Sequence, residues 1–247
     1  MMKKLPVLLM LCLMLAGCGQ KVEKPVQTDP PVPIPERIIP ETEVPSEAPT
    51  ETSTEAPTEP TEPADAELVL VTDYIPEVRV ELAYASEDNF TGQTIYEFSE
   101  AYLRYGTVKK LKLASEELAR QGLGLLIWDG FRPLAAQQKL WDICPDPAFV
   151  SNPVTGNRSH CRGNAVDVTL VDLQTGAQLD MPTGFDDFSE LADRDYSDCS
   201  ETAAENAQLL EEVMEKYGFK PYSAEWWHFA DTDDYPVEET FNPAGVG

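Results

Sequence analysis

Beyond Ala66 the apolar positions recur with two different periods, and the switches between them mark the expected elements. Leu68-Val69-Leu70-Val71 and Val78-Arg79-Val80-Glu81-Leu82 have the short apolar runs of strands. From 107 to 121, Val108, Leu111, Ala114 and Leu118 fall at helical spacing, and Gly122 supplies a stop signal. Leu123 to Trp128 reads as a buried strand, turned by Asp129-Gly130. Pro133 suits the first turn of a helix running to about Ile143, because a missing N–H costs nothing there. Asn164 to Val171 alternates as a strand. Thr202 with Glu205 forms a capping box for a helix carrying Leu209, Leu210, Val213, Met214 and Tyr217, closed by Gly218. A last strand is expected over Glu225 to Phe229. Strands and helices mix without a regular βαβ repeat, which predicts an α+β fold with a small mixed or antiparallel sheet flanked by helices.

Upstream of Ala66 the pattern changes twice. Met1-Met2-Lys3-Lys4 is followed by an apolar run from Leu5 to Ala16 that is too short to span a bilayer. It ends in Leu15-Ala16-Gly17-Cys18, which resembles a bacterial lipobox, so residues 1–17 are expected to be a signal peptide and Cys18 the lipidated residue. Residues 18–65 are dense in Pro, Glu and Thr, with the near-repeats SEAPTET, STEAPTEP and TEPA. Such a segment cannot bury a core, and it is expected to be a disordered spacer holding a domain of residues 66–247 off the membrane. The expected location is extracytoplasmic, lipid-anchored to the bacterial cell membrane.

The formal charge of −26 argues against nucleic-acid binding, because nothing in the chain forms the basic stripe that phosphate contacts require. No protein partner is predicted. Cys12 lies in the leader and Cys18 is the lipid site, which leaves Cys144, Cys161 and Cys199. In an exported chain these allow one disulfide and one free thiol, with the pairing open.

The chemistry concentrates on the chain's two histidines. His160 lies in Ser159-His160-Cys161-Arg162-Gly163-Asn164-Ala165-Val166-Asp167, and His228 closes Glu225-Trp226-Trp227-His228. Two imidazoles and one carboxylate, His160, His228 and Asp167, match a catalytic zinc site that keeps a position open for water. Gly163 would let the backbone turn between His160 and Asp167. Glu225 lies three residues before His228 and would face away from it on a regular strand, so a turn or an irregular strand is needed to aim both at one water. With that geometry Glu225 would act as general base; the rival role is a further metal ligand. Cys161 is read as structural or free, because neighbours on an extended chain point apart. Were it to bind metal, Asp167 would be displaced.

Together these segments resemble a known family. Asp88-Asn89-Phe90-Thr91-Gly92, Asp129-Gly130-Phe131-Arg132-Pro133, Ser159-His160 through Asp167-Val168-Thr169-Leu170, Phe185-Asp186 and Glu225-Trp226-Trp227-His228 occur in this order between about Tyr74 and Phe229. The chain is thereby similar to the zinc D-alanyl-D-alanine dipeptidases of the vancomycin-resistance type, within the D-Ala-D-Ala carboxypeptidase and hedgehog-fold group. The resemblance implies one zinc per chain on His160, Asp167 and His228, Glu225 as base and a small dipeptide as substrate. It also implies that Arg132 stabilises the transition state, where a structural salt bridge is the rival reading. Asp186 would contact the substrate ammonium and Ser159 the carboxylate, with Asp187 and Arg158 as neighbours able to take those parts. The resistance enzymes act in the cytoplasm, so the expected anchor points to wall turnover instead, with carboxypeptidase action on peptidoglycan stem peptides as the alternative.

Overall fold

The computed structural model describes residues 62–246; the leader, Cys18 and the spacer up to Thr61 lie outside them. A five-stranded sheet is built from β2 (Arg79–Val80), β4 (Leu123–Asp129), β5 (Ala165–Asp172), β6 (Phe219–Tyr222) and β7 (Glu225–Asp231), in the order β2-β4-β5-β7-β6. Only β2 runs parallel to its neighbour; the other pairs are antiparallel. A separate two-stranded sheet pairs β1 (Leu68–Leu70) with β3 (Tyr102–Arg104). The helices are α1 (Val71–Tyr74), α2 (Tyr105–Ala119), α3 (Leu134–Ile143), α4 (Ser159–Arg162) and α5 (Glu201–Lys216). The architecture is the expected α+β one.

The apolar stripe of α2 explains why it packs where it does: Val108, Leu111, Ala114 and Leu118 are all fully buried. Each such leucine contributes roughly 1.5–3 kcal/mol of burial. On α5, Ala203, Ala207, Leu210, Val213 and Met214 form the buried face, whereas Leu209 is only partly covered. The expected alternation of β5 is absent, because every residue from Ala165 to Val171 is buried. A strand covered on both faces needs no polar side.

Other expectations are displaced by a few residues. The first strand ends at Leu70, and Val71 opens α1. The cap of α5 is Ser200, whose hydroxyl accepts from Ala203 N at 3.1 Å, so Thr202 and Glu205 sit inside the helix and form no box. Pro133 stands before α3 rather than in its first turn; its ψ of 146° is extended, and its carbonyl accepts from Gln137 N at 3.0 Å. Asp129 is the last residue of β4, not part of a turn. Cys144, Cys161 and Cys199 are all free, so the disulfide allowed by composition does not form. They lie on three separate parts of the fold, after α3, within α4 and before α5.

The loop into the fifth strand is held from several sides. Buried Arg104 donates from Nε to Arg162 O at 2.7 Å and pairs with Glu238 at 3.3 Å, and Arg104 N donates to Gly163 O at 2.8 Å. Gly163 ends α4 at φ +73°, and a Cβ there would come within 2.5 Å of Leu68 Cδ2. Gly163→Ala is therefore expected to cost on the order of 1–3 kcal/mol, read as a lower Tm in thermal unfolding.

Candidate active site

The register of the central strands lays the polar residues of the site in a row. Asp167 of β5 stands opposite His228 of β7 and opposite Asp129 of β4, and residues directly opposite share a face of the sheet. Asp129 reaches that face through an extra residue: the β4–β5 register shifts between Ile127 and Asp129, leaving Trp128 as a bulge. A second shift, between Pro221 and Tyr222, breaks the regular β6–β7 ladder. It is the irregularity that Glu225 needs, and Glu225 Oε2 lies 3.9 Å from His228 Nδ1. Between them Trp226 and Trp227 are almost wholly buried, which locks the irregular segment. Trp226 packs edge-on against Trp128 with ring centroids 5.7 Å apart and donates to Thr183 Oγ1 at 2.9 Å.

The short helix α4 brings His160 over this row. Its Nδ1 lies 2.8 Å from Gly130 O and donates to it, which fixes the tautomer and leaves Nε2 as an acceptor. That Nε2 faces His228 Nδ1 at 3.1 Å and Asp167 Oδ2 at 3.3 Å, while Asp167 Oδ1 lies 2.9 Å from His228 Nδ1. The three ligand atoms lie within 4.8 Å of one another, and all three residues are buried. A single proton on His228 cannot satisfy both His160 Nε2 and the carboxylate, whereas one divalent cation satisfies all three. Two imidazoles, a carboxylate and an open side toward a cleft fit zinc. Burial alone would raise the Asp167 carboxyl, but the adjacent His160 and His228 overcome it and hold Asp167 well below the usual carboxylate range.

Cys161 is excluded from this set. It is fully buried, and its Sγ is not among the ligand atoms that converge with those of His160, Asp167 and His228.

The remaining groups share one cleft of about 460 Å³, lined by Tyr84, Arg132, Ser159, Asp186, Glu225 and Trp227 together with the ligand residues. Arg132 is buried and doubly tied to Asp129 Oδ2, through Nη2 at 2.5 Å and Nε at 3.1 Å. It also donates to Gln137 Oε1 at 3.0 Å and lies over the Tyr84 ring at 5.1 Å. The salt bridge and the cleft position therefore coexist. Asp129, with no exposed surface, also accepts from Tyr96 OH at 2.7 Å and from Gly130 N at 2.9 Å. Asp129, Tyr96, Tyr84 and Gln137 are site residues that the sequence reading left without a role. Only Asp129 carried a signal, since an aspartate three residues before an arginine in an apolar stretch invites an ion pair.

Glu225 is half-buried; burial, then the nearby Asp167, raise its pKa against the opposing pull of His228, His160 and Arg132. Asp186 is held at φ +54° with its Oδ2 accepting from Tyr84 OH at 2.9 Å. Burial pushes its carboxyl up to about 7, with Asp167 and Glu225 adding to the rise and Tyr84 and Arg132 opposing it. Asp187, its rival, is exposed. Ser159 is buried at the start of α4 and lines the cleft.

A pH dependence follows from Asp186. Below its pKa the carboxyl is neutral and loses its attraction for an ammonium group, and above it the charge is present. On the expected pairing of Asp186 with a substrate ammonium group, KM for such a substrate should rise up to about tenfold per unit as pH falls below about 7. Asp186→Asn should flatten that limb; steady-state kinetics of both proteins across this range make the comparison.

Comparison with known proteins places the chain in a family. The M15 peptidase model described as D-Ala-D-Ala dipeptidase matches residues 64–244. A D-alanyl-D-alanine dipeptidase of Escherichia coli (strain K12) is 38% identical over 163 residues, which cover 66% of this chain and 83% of that protein. One from Enterococcus faecium is 35% identical over 179 residues, covering 64% and 89%. Among solved structures, VanYB in complex with D-Alanine-D-Alanine aligns at a TM-score of 0.37 and 16% identity, covering 54% of this chain and 73% of that one. By the match across its folded part and by its sequence relatives, the chain belongs to the D-Ala-D-Ala dipeptidase family of M15 peptidases.

Proposed function

We propose that this protein is a zinc-dependent dipeptidase that hydrolyses D-alanyl-D-alanine, or similar small dipeptides, to free amino acids outside the cell membrane. One zinc per chain would be held by His160, Asp167 and His228. Bound there, it supplies Lewis acidity to carbonyl and water oxygens at neutral pH. Glu225 takes the proton of the attacking water and returns it to the leaving amine, a transfer suited to a carboxylate whose pKa burial has raised. Arg132, fixed by Asp129, places a permanent positive charge beside the carbonyl oxygen as negative charge builds there. Asp186 pairs with the substrate ammonium, and Ser159 helps hold the carboxylate.

The observation that carries the dipeptide reading is Asp186. Its buried carboxyl opens on the cleft and has no cationic side chain paired to it among the described residues, so the missing charge is one that a free amino group brings. A stem peptide carries an amide at that position instead. The alternative, a D,D- or L,D-carboxypeptidase acting on peptidoglycan stems, draws on residues 18–65, which would give the domain reach toward the wall. Assays of the zinc-loaded protein on D-Ala-D-Ala and on a pentapeptide stem decide between them. We expect the dipeptide to be cleaved faster; preference for the stem would favour the carboxypeptidase.

The lipobox-like Leu15-Ala16-Gly17-Cys18 supports the extracytoplasmic placement, and with it a role in wall turnover that returns D-alanine for uptake. Intact cells should hydrolyse added dipeptide. Activity that emerges only on lysis would contradict the placement.

A further inference from the structure

Resting on that reading of the site, we infer that Arg158 is the receptor for the substrate's α-carboxylate and makes the enzyme select for a free carboxyl end. The cleft is lined by four basic side chains, Arg132, Arg158, His160 and His228. Arg132 is neutralised by Asp129, and the two histidines face Asp167. Arg158 has no carboxylate within salt-bridge distance among the described residues. Its Nε is buried without any hydrogen-bond partner, and Nη1 makes only a 3.4 Å contact with Pro153 O. A guanidinium nitrogen removed from water without a partner is costly to leave so, and a carboxylate on the Nε side satisfies it with two parallel bonds.

Arg158 is the N-cap residue of α4, two residues before His160, and its carbonyl accepts from Arg162 N at 3.1 Å. The same short helix therefore fixes both the metal ligand and the guanidinium. In a dipeptide the α-carboxylate lies one residue, roughly 3.5 Å, beyond the scissile bond. Asp186 supplies the opposite charge for the ammonium, so the cleft is complementary to a zwitterion. Ser159 lines the cleft beside Arg158 but brings no charge, which assigns it a lesser share of carboxylate binding than the resemblance implied.

The test compares D-Ala-D-Ala with its C-terminal amide, using the full zinc-loaded chain. The wild type should prefer the free acid by about a hundredfold in kcat/KM. Arg158→Ala should bring the two substrates to within about threefold, because the acid loses far more activity than the amide. Arg158→Lys, which keeps the charge without the fork, should restore part of the preference through KM. Circular dichroism and zinc content check folding; if the alanine variant is unfolded, Arg158→Gln replaces it and must lose the preference. A wild type indifferent to the amide, or a folded Ala or Gln variant that keeps the wild-type preference, overturns the inference. Should the wild type cleave only stem peptides, the dipeptidase reading fails instead, and the same acid-against-amide comparison on the stem still decides Arg158.

Discussion

Glu225→Gln should lower kcat on D-Ala-D-Ala by about 10²–10⁴-fold while zinc content and Tm stay close to those of the wild type. The carboxylate stands 3.9 Å from His228 but is not one of the three residues whose ligand atoms converge, so its loss leaves the metal site intact. Glutamine keeps the shape and removes the proton acceptor. The shift in the β6–β7 register breaks the regular pairing beside residue 225, whose carboxylate lies near His228. Metal analysis alongside kinetics separates the two roles open to this residue: loss of zinc together with activity would make Glu225 a ligand, and full turnover would remove it from the mechanism.

Arg132→Ala should act twice. On the proposed mechanism, removing a positive charge beside the developing oxyanion is expected to cost about 10²–10³-fold in kcat. It also strands Asp129, a carboxylate with no exposed surface, beside Tyr96 and Gly130. Breaking a buried pair by deleting one partner costs roughly 3–5 kcal/mol, which at this chain length lowers Tm by something on the order of 10 °C. Arg132→Lys distinguishes the effects: a lysine can neutralise Asp129 and recover much of the stability, but it cannot also reach Gln137 Oε1 and present a fork to the cleft. The expected pattern is a near-normal melt with kcat still depressed at least tenfold. A lysine variant with wild-type kcat would reduce Arg132 to a structural salt bridge.

The elements legible in the sequence were those whose burial follows a simple period. Val108, Leu111, Ala114 and Leu118 on α2 and the apolar run of β4 repeat at the spacing their packing requires, so they were readable without partners. The pieces that escaped are short and depend on what they meet. Four-residue α4 exists because Arg104 clamps its end and His160 is bonded to Gly130, neither of which leaves a local pattern. Strand β3 is recruited by β1, 34 residues earlier at the Leu68 to Tyr102 starts, and β6 carries a proline that argues against a strand until its edge position is known. The cap of α5 was misplaced by two residues because Ser200 and Thr202 are equally good acceptors and only the chain path chooses between them.

The site divides along the same line. His160, Asp167 and His228 could be picked out because histidine is scarce in this chain and the ligand chemistry is narrow, and the structure brings all three together. Glu225 was identifiable only on condition of an irregular strand, and that irregularity is present. What stayed hidden was the support: Asp129 is the residue on which Arg132, Tyr96, Gly130 and, at 3.7 Å, His160 converge. Its importance comes from the β4 bulge at Trp128, a feature of strand pairing rather than of composition.

The most direct test of a zinc-dependent D-Ala-D-Ala dipeptidase is release of D-alanine by the purified chain before chelation, after chelation and after zinc is returned. D-alanine should appear from D-Ala-D-Ala at the start, stop when the metal is removed, and resume with one zinc per chain, while L-Ala-L-Ala is cleaved far more slowly. Undiminished release of D-alanine by metal-free protein, or failure of the zinc-loaded protein to cleave D-Ala-D-Ala, would contradict the account.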